Sequence, residues 1–138
     1  RRMALFWKHV SASLIPVNLL LLNNNHIFIF ADKLLNEQIK DNKILLFMKG
    51  SPYQPQCGFS NRGAQVVNML TKELGIETFA SVNVLSDPRA RPALKEWSDF
   101  PTIPQIFING ELIGGSDIAL EMFQSGELQS MFDEGTQS

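Results

Sequence analysis

Apolar residues recur along this chain with two periods, and the change from one to the other predicts most of its elements. "KILLFMKG" holds an unbroken apolar run from Ile44 to Met48 between two lysines, the pattern of a short strand buried on both faces. "ETFASVNVL", residues 77–85, alternates, with Ala80, Val82 and Val84 on one side, and predicts a second strand. Other stretches repeat at helical spacing. In "ADKLLNEQIKDN" (31–42), Leu34, Leu35 and Ile39 share a face behind Asp32. From Ser60 to Leu74 the stripe is Val66, Val67, Leu70 and Leu74, and Gly75 is placed to end the helix. "SDPRARPALKEWSDF" offers Ser86 or Asp87 as N-cap and Pro88 as first helical residue, which leaves Pro92 near the first turn, where proline costs least. "QIFI" and "ELIGG" flank Asn109–Gly110, the preferred pair for a two-residue hairpin turn. A helix from Asp117 to Ser125, a stop at Gly126 and another helical turn complete the chain. The order α-β-α-β-α-β-β-α-α, a βαβ unit followed by ββα, predicts an α/β fold with a central four-stranded mixed sheet flanked by helices.

The charge is uneven along this pattern. Residues 1–31 carry Arg1, Arg2 and Lys8 and no acid, a balance of +3, and the remainder of the 138 residues carries −5. We therefore expect residues 1–30 to be an organellar presequence or a disordered extension, and the ordered domain to occupy 31–138. A secretory signal fits less well, because "NNN" follows the apolar "SLIPVNLLLL" where small cleavage-site residues would stand. Pro16, Asn18 and the asparagines interrupt that run well short of the roughly 20 residues of a membrane span. A single cysteine excludes an intrachain disulfide and any zinc site needing two cysteines of one chain, and favours a reducing compartment. The net charge of −2 gives no reason to expect nucleic acid as a partner, and no membrane partner is expected either.

That cysteine, Cys57, lies in "SPYQPQCGFSN", between the first strand and the long helix. A redox loop of the Cys-x-x-Cys kind would have its second sulfur at position 60, which is Ser60 here. Just ahead of a helix, unpaired backbone N–H groups and the helix dipole favour an anion, and Lys49 one loop back adds positive charge. Both should depress the thiol pKa and yield a thiolate able to bind iron or attack a disulfide. The alternative is an inert core cysteine, against which the prolines, Gly58 and the polar neighbours argue. Arg91 and Lys95, four apart, share a helix face and can meet a carboxylate or merely face solvent. Asp117 can act as an N-cap, or accept from an ammonium group. Ile103–Pro104 is the candidate cis peptide bond. His9 and His26 are read as non-ligands, Trp97 and Phe100 as packing residues, and Glu96 and Asp99 as solvated charges.

Taken together, "KGSPYQPQCGFS", "DPRAR…LKEWSDFPTIPQIFINGE" and "GGSDI" resemble the monothiol glutaredoxins of the Cys-Gly-Phe-Ser class, over about residues 32–133. The resemblance implies a thioredoxin-like fold, glutathione binding and a part in iron–sulfur cluster storage and delivery; with the basic N-terminal segment, the expected place is the mitochondrial matrix, with plastid or cytosol as alternatives. Carried over residue by residue, it makes Cys57 the cluster ligand and the catalytic thiol, with Gly58 and Phe59 completing the motif. Lys49 becomes the glutathione-binding lysine, and Arg91 and Lys95 the pair facing the glycyl carboxylate. Thr102, Ile103 and Pro104 become the cis-proline loop, and Gly115, Ser116 and Asp117 the segment holding the γ-glutamyl end. Many relatives have a second cysteine where Ser116 stands; this chain cannot form that disulfide.

A 2Fe–2S cluster needs four ligands, usually thiolates. One chain offers one, so two chains and two glutathione molecules would complete the set. The expectation is a cluster carrier that is a homodimer when loaded and serves apo iron–sulfur proteins, with a histidine-bearing regulatory partner also compatible. The rival expectation is an enzyme, a glutathione-dependent monothiol transferase; for the carrier, any oxidoreductase activity is expected to be weak.

Overall fold

The computed structural model describes residues 8–11, 36–77 and 79–137. Its main sheet has the order β1-β5-β2-β6-β7. The central strand β2 (Ile44–Met48) runs parallel to β5 (Ala80–Asn83) and antiparallel to β6 (Gln105–Ile108), which pairs antiparallel with β7 (Glu111–Gly114). These four are the expected mixed sheet. A fifth strand, β1 (Lys8–Ser11), lies parallel along the outer edge of β5. The rest of the expected 1–30 segment, including His26, lies outside the described residues.

The run at 44–48 is unbroken because helices cover both faces of the sheet. Ile44, Leu46 and Met48 join Val66, Val67, Leu70, Ala119 and Leu128 in one core. That core is closed by α2 (Gly58–Leu74), α4 (Ser116–Ser125) and α5 (Glu127–Gln137). Leu45 and Phe47 point the other way, to Ala80, Val82, Leu94, Ile103 and Phe107, under α3 (Ala90–Ser98). A helical segment over 36–41, α1, adds Ile39 to this second core. Phe47 and Phe107 meet edge to face at 5.7 Å, and Trp97 lies 6.0 Å from Phe107, so Trp97 is a packing residue as expected. Each such side chain contributes about 1.5–3 kcal/mol on burial, which makes the two-sided core the main stabilising feature.

Three local outcomes differ from the sequence pattern. The helix expected to start at Pro88 starts at Ala90, with Arg89 as N-cap and no side-chain cap. Asp87 still makes a capping contact ahead of it: its Oδ1 accepts from the Arg89 backbone N–H and Nε, its Oδ2 from Nη2, and its carbonyl from the Ala90 N–H. The loop "SPYQPQ" contains a small hairpin, β3 (Gly50–Ser51) with β4 (Gln54–Pro55). The long helix begins at Gly58, two residues earlier than its apolar stripe indicates. The Asn109–Gly110 turn is as expected: both residues have positive φ, 51° and 84°, which this hairpin type requires. Asn109 Nδ2 also donates to the carbonyls of Met131 and Phe132, tying the turn to α5.

Candidate functional site around Cys57

Cys57 is itself the N-cap of α2, with extended backbone (φ −158°, ψ 160°), and its Sγ accepts from the Ser60 N–H at 3.4 Å. Ser60 is fully buried. Its Oγ accepts from the backbone N–H of Lys49 at 3.0 Å, and Gln56 N–H donates to the Lys49 carbonyl at 2.9 Å. The end of β2 is thus laced to the first turn of α2. Asn83 adds a third tie, its Oδ1 accepting from the N–H of Gly50 at 3.0 Å and of Leu85 at 2.9 Å. The free thiol is partly exposed. Burial pushes its pKa up, but hydrogen bonds from the Ser60 side chain and amide and from the Phe59 amide, with the charge of Lys49, outweigh that and leave it below the ordinary thiol value.

The Ile103–Pro104 bond is cis, as expected. Pro104 sits close under α2: a Cβ added at Gly63 would lie 3.1 Å from Pro104 Cγ, and one at Gly115 would lie 3.7 Å from the Pro104 carbonyl oxygen. The start of α4 is thereby brought beside the start of α2. Ile103 packs into the second core, and Thr102 is exposed. Gln105 is fully buried, and its Nε2 donates to the carbonyls of Phe100 (3.1 Å) and Thr102 (3.3 Å), holding the proline loop from within.

Asp117 is not the N-cap of α4. That position is Gly115, without a side-chain cap, and Ser116 behind it is buried. The Asp117 carboxylate pairs with Arg62, Nη1 to Oδ1, at 2.7 Å. Two aromatic rings of this region are exposed, Phe59 by 58% and Tyr53 by 72%. Lys49, Cys57, Gly58, Phe59, Pro104, Gly115, Ser116 and Asp117 therefore cluster where β2 and β6 meet α2 and α4. Arg91 and Lys95 lie on α3, over the opposite face of the sheet, and no hydrogen bond or ion pair among the described residues joins them to this group; Arg91 Nε is buried without a partner.

Arg62, Asn83 and Gln105 are the residues that reading the sequence did not single out. Arg62 had a faint signal, three positions after Phe59 and so on the same helix face; the long-range contacts of Asn83 and Gln105 had none. Among the described residues, no group of three or more His, Cys, Asp or Glu side chains is placed to hold a metal ion. One chain by itself supplies one thiol.

Comparison with known proteins agrees with this geometry. The family description "Glutaredoxin" matches residues 44–113. An uncharacterized monothiol glutaredoxin of Synechocystis is 48% identical over 99 residues, covering 72% of this chain and 88% of its own. The mitochondrial glutaredoxin-related protein 5 of Danio rerio is 50% identical over 96 residues, covering 70% of this chain and 59% of its own. The solution structure of reduced poplar apo GrxS14 superposes with a TM-score of 0.62 at 42% identity, over 77% of this chain and 93% of that one. With its thioredoxin-like sheet and a single sulfur in the Cys57-Gly58-Phe59-Ser60 turn, the chain belongs to the glutaredoxin family, among its monothiol members.

Proposed function

We propose that this protein is a glutathione-dependent carrier of 2Fe–2S clusters for iron–sulfur protein maturation, working in the mitochondrial matrix. The observation that carries the reading is the fate of position 60. A dithiol cycle needs a second sulfur there, and the residue present is a buried serine whose oxygen already accepts from Lys49 N–H. What remains is one partly exposed thiol of lowered pKa, suited to ligating a soft metal and short of the four ligands a cluster requires. As cargo, the cluster would be held by Cys57 of two chains and the thiols of two glutathione molecules. Because half of those ligands are exchangeable, the cargo would leave readily, which suits delivery to apo proteins. The mitochondrial relative supports the compartment, with plastid and cytosol as the alternatives.

The glutathione site proposed alongside uses Lys49 for a carboxylate, the Thr102–Pro104 loop for backbone pairing, and Gly115, Ser116 and Asp117 for the γ-glutamyl end. For the glycyl carboxylate the family resemblance points to Arg91 and Lys95, which stand on α3 outside the cluster around Cys57, so a bound glutathione would have to extend past the proline loop to meet them. The same lowered thiol pKa favours a second reading, a monothiol transferase. There the Cys57 thiolate attacks a protein–glutathione disulfide, the protein thiol departs, and a second glutathione thiolate then releases Cys57 as glutathione disulfide forms. Anaerobic reconstitution with iron, sulfide and glutathione separates the two. We expect a brown dimer with 2Fe–2S absorption that Cys57→Ser abolishes; a colourless wild-type protein that turns over mixed disulfides as fast as a dithiol glutaredoxin would overturn the carrier reading.

A further inference from the structure

Arg62 is placed in a way that fold stability does not explain. It leaves the second turn of α2, passes the ring of Phe59 with its guanidinium carbon 5.8 Å from the centroid, and ends on Asp117 of α4 at 2.7 Å. Both charged side chains are well exposed, 47% for Arg62 and 78% for Asp117. A pair that open to water contributes little to stability, and holding a long side chain in one geometry costs entropy. The pair nevertheless sits on the rim of the cysteine site, joining the second turn of α2 to the first turn of α4.

The chemistry of that rim is dipolar. Asp117 accepts from Arg62 through Oδ1, and no hydrogen bond among the described residues occupies its Oδ2. Beside it stand the guanidinium and the first amides of α4, which have no side-chain cap because the N-cap is Gly115. A lone amine would be drawn to Asp117 and repelled by Arg62, and a lone acid would meet the reverse. A ligand end that carries an ammonium and a carboxylate on one carbon satisfies both: the ammonium goes to Asp117, and the carboxylate to Arg62 together with the α4 amides. Phe59 restricts the guanidinium to this position, which lowers the entropy lost when the ligand arrives.

We propose that Arg62 is a specificity-determining residue of the glutathione site, reading the α-carboxylate of the γ-glutamyl end while Asp117 reads its α-ammonium. The proposal rests on the glutathione reading above and adds to it a side chain contributed by α2. It makes the site selective for a zwitterionic amino-acid end over a singly charged one.

The test is calorimetric titration of the full chain, metal-free and reduced, with glutathione and with 4-aminobutyryl-cysteinyl-glycine, which keeps the ammonium and lacks the α-carboxylate. Wild type should prefer glutathione. Arg62→Gln should lose roughly two- to fivefold in glutathione affinity, the scale of one exposed charge-assisted contact, with no change for the analogue. Arg62→Lys should recover most of the loss, and added salt should shrink the difference. Arg62 is exposed, so unchanged thermal unfolding is expected in both variants. An Arg62→Gln protein that binds glutathione as tightly as wild type, or loses both ligands equally, overturns the Arg62 assignment and leaves the glutathione site standing. A wild-type protein that binds neither ligand overturns both.

Discussion

At position 60 a hydroxyl stands where a redox loop would carry its second sulfur, and two jobs follow from its geometry. Its oxygen accepts from Lys49 N–H, and the residue hydrogen-bonds Cys57 Sγ. Ser60→Ala removes the partner of a partly buried amide, so we expect a loss of about 1–3 kcal/mol in urea unfolding. It should also raise the Cys57 pKa, and by more than Lys49→Met does, because the Ser60 contacts outrank the charge of Lys49 in lowering it. The pH dependence of iodoacetamide alkylation reads this directly. The wild-type midpoint should lie below that of the urea-unfolded chain, and a larger shift in Lys49→Met than in Ser60→Ala would contradict the ordering. The sign for stability follows. With the folded thiol pKa depressed, the stabilising contribution is fully present above the unfolded pKa and is lost as pH falls through the folded one. Of these contacts, the presence of one thiol at the head of a helix was legible in the sequence; that Ser60 reaches back to Lys49 was not, since eleven residues separate them.

Elements here were legible where a periodic apolar face ran long enough, as in α2 and β2, and less so where a single side chain chose between two local partners. Asp87 caps the Arg89 amide and also holds the Arg89 guanidinium, and the regular turns of α3 begin only at Ala90. The β3–β4 hairpin is another case, because two residues on each side carry no periodicity. Its geometry depends on Gly50, whose φ is +90° and whose added Cβ would collide with the Gln54 carbonyl oxygen. Gly50→Ala should therefore destabilise by more than about 1 kcal/mol. Gly58→Ala, with open space around the new methyl and helical backbone, should be close to neutral. Parallel thermal unfolding of the two variants checks this, and equal stabilities would mean that the hairpin does not constrain the loop.

On the scale of the whole molecule, the two-sided core and the cysteine site are energetically separable. The core is apolar and closed, and the Lys49 and Asp117 side chains of the site stand outside it, half-exposed and exposed. Lys49→Ala and Asp117→Ala should leave the Tm nearly unchanged while weakening glutathione binding and shortening cluster lifetime. Removing glutathione from a reconstituted sample by gel filtration should bleach the cluster and return a dimer to monomers. Under the proposed stoichiometry both changes should have the same rate; a dimer that persists after bleaching would show that protein contacts, and not the shared ligands, hold the two chains together.

The amino-acid sequence by itself determined the strand and helix order, the hairpin turn at Asn109–Gly110, the single thiol and its place ahead of α2. These follow from period, turn chemistry and residue identity, which are local properties of a chain. The family was legible too, because its motifs are short and contiguous. Only the tertiary structure decided which charged groups stand together. It brought Asp117 to Arg62 across 55 residues and put Gly63 against Pro104. It also set Gln105 inside the proline loop and left Arg91 and Lys95 on the far face of the sheet. The reason is that hydrophobic patterning tells a helix which face to bury but says nothing about its neighbour on the exposed one; that is settled when α2 and α4 pack on the same side of the sheet and their first turns arrive side by side.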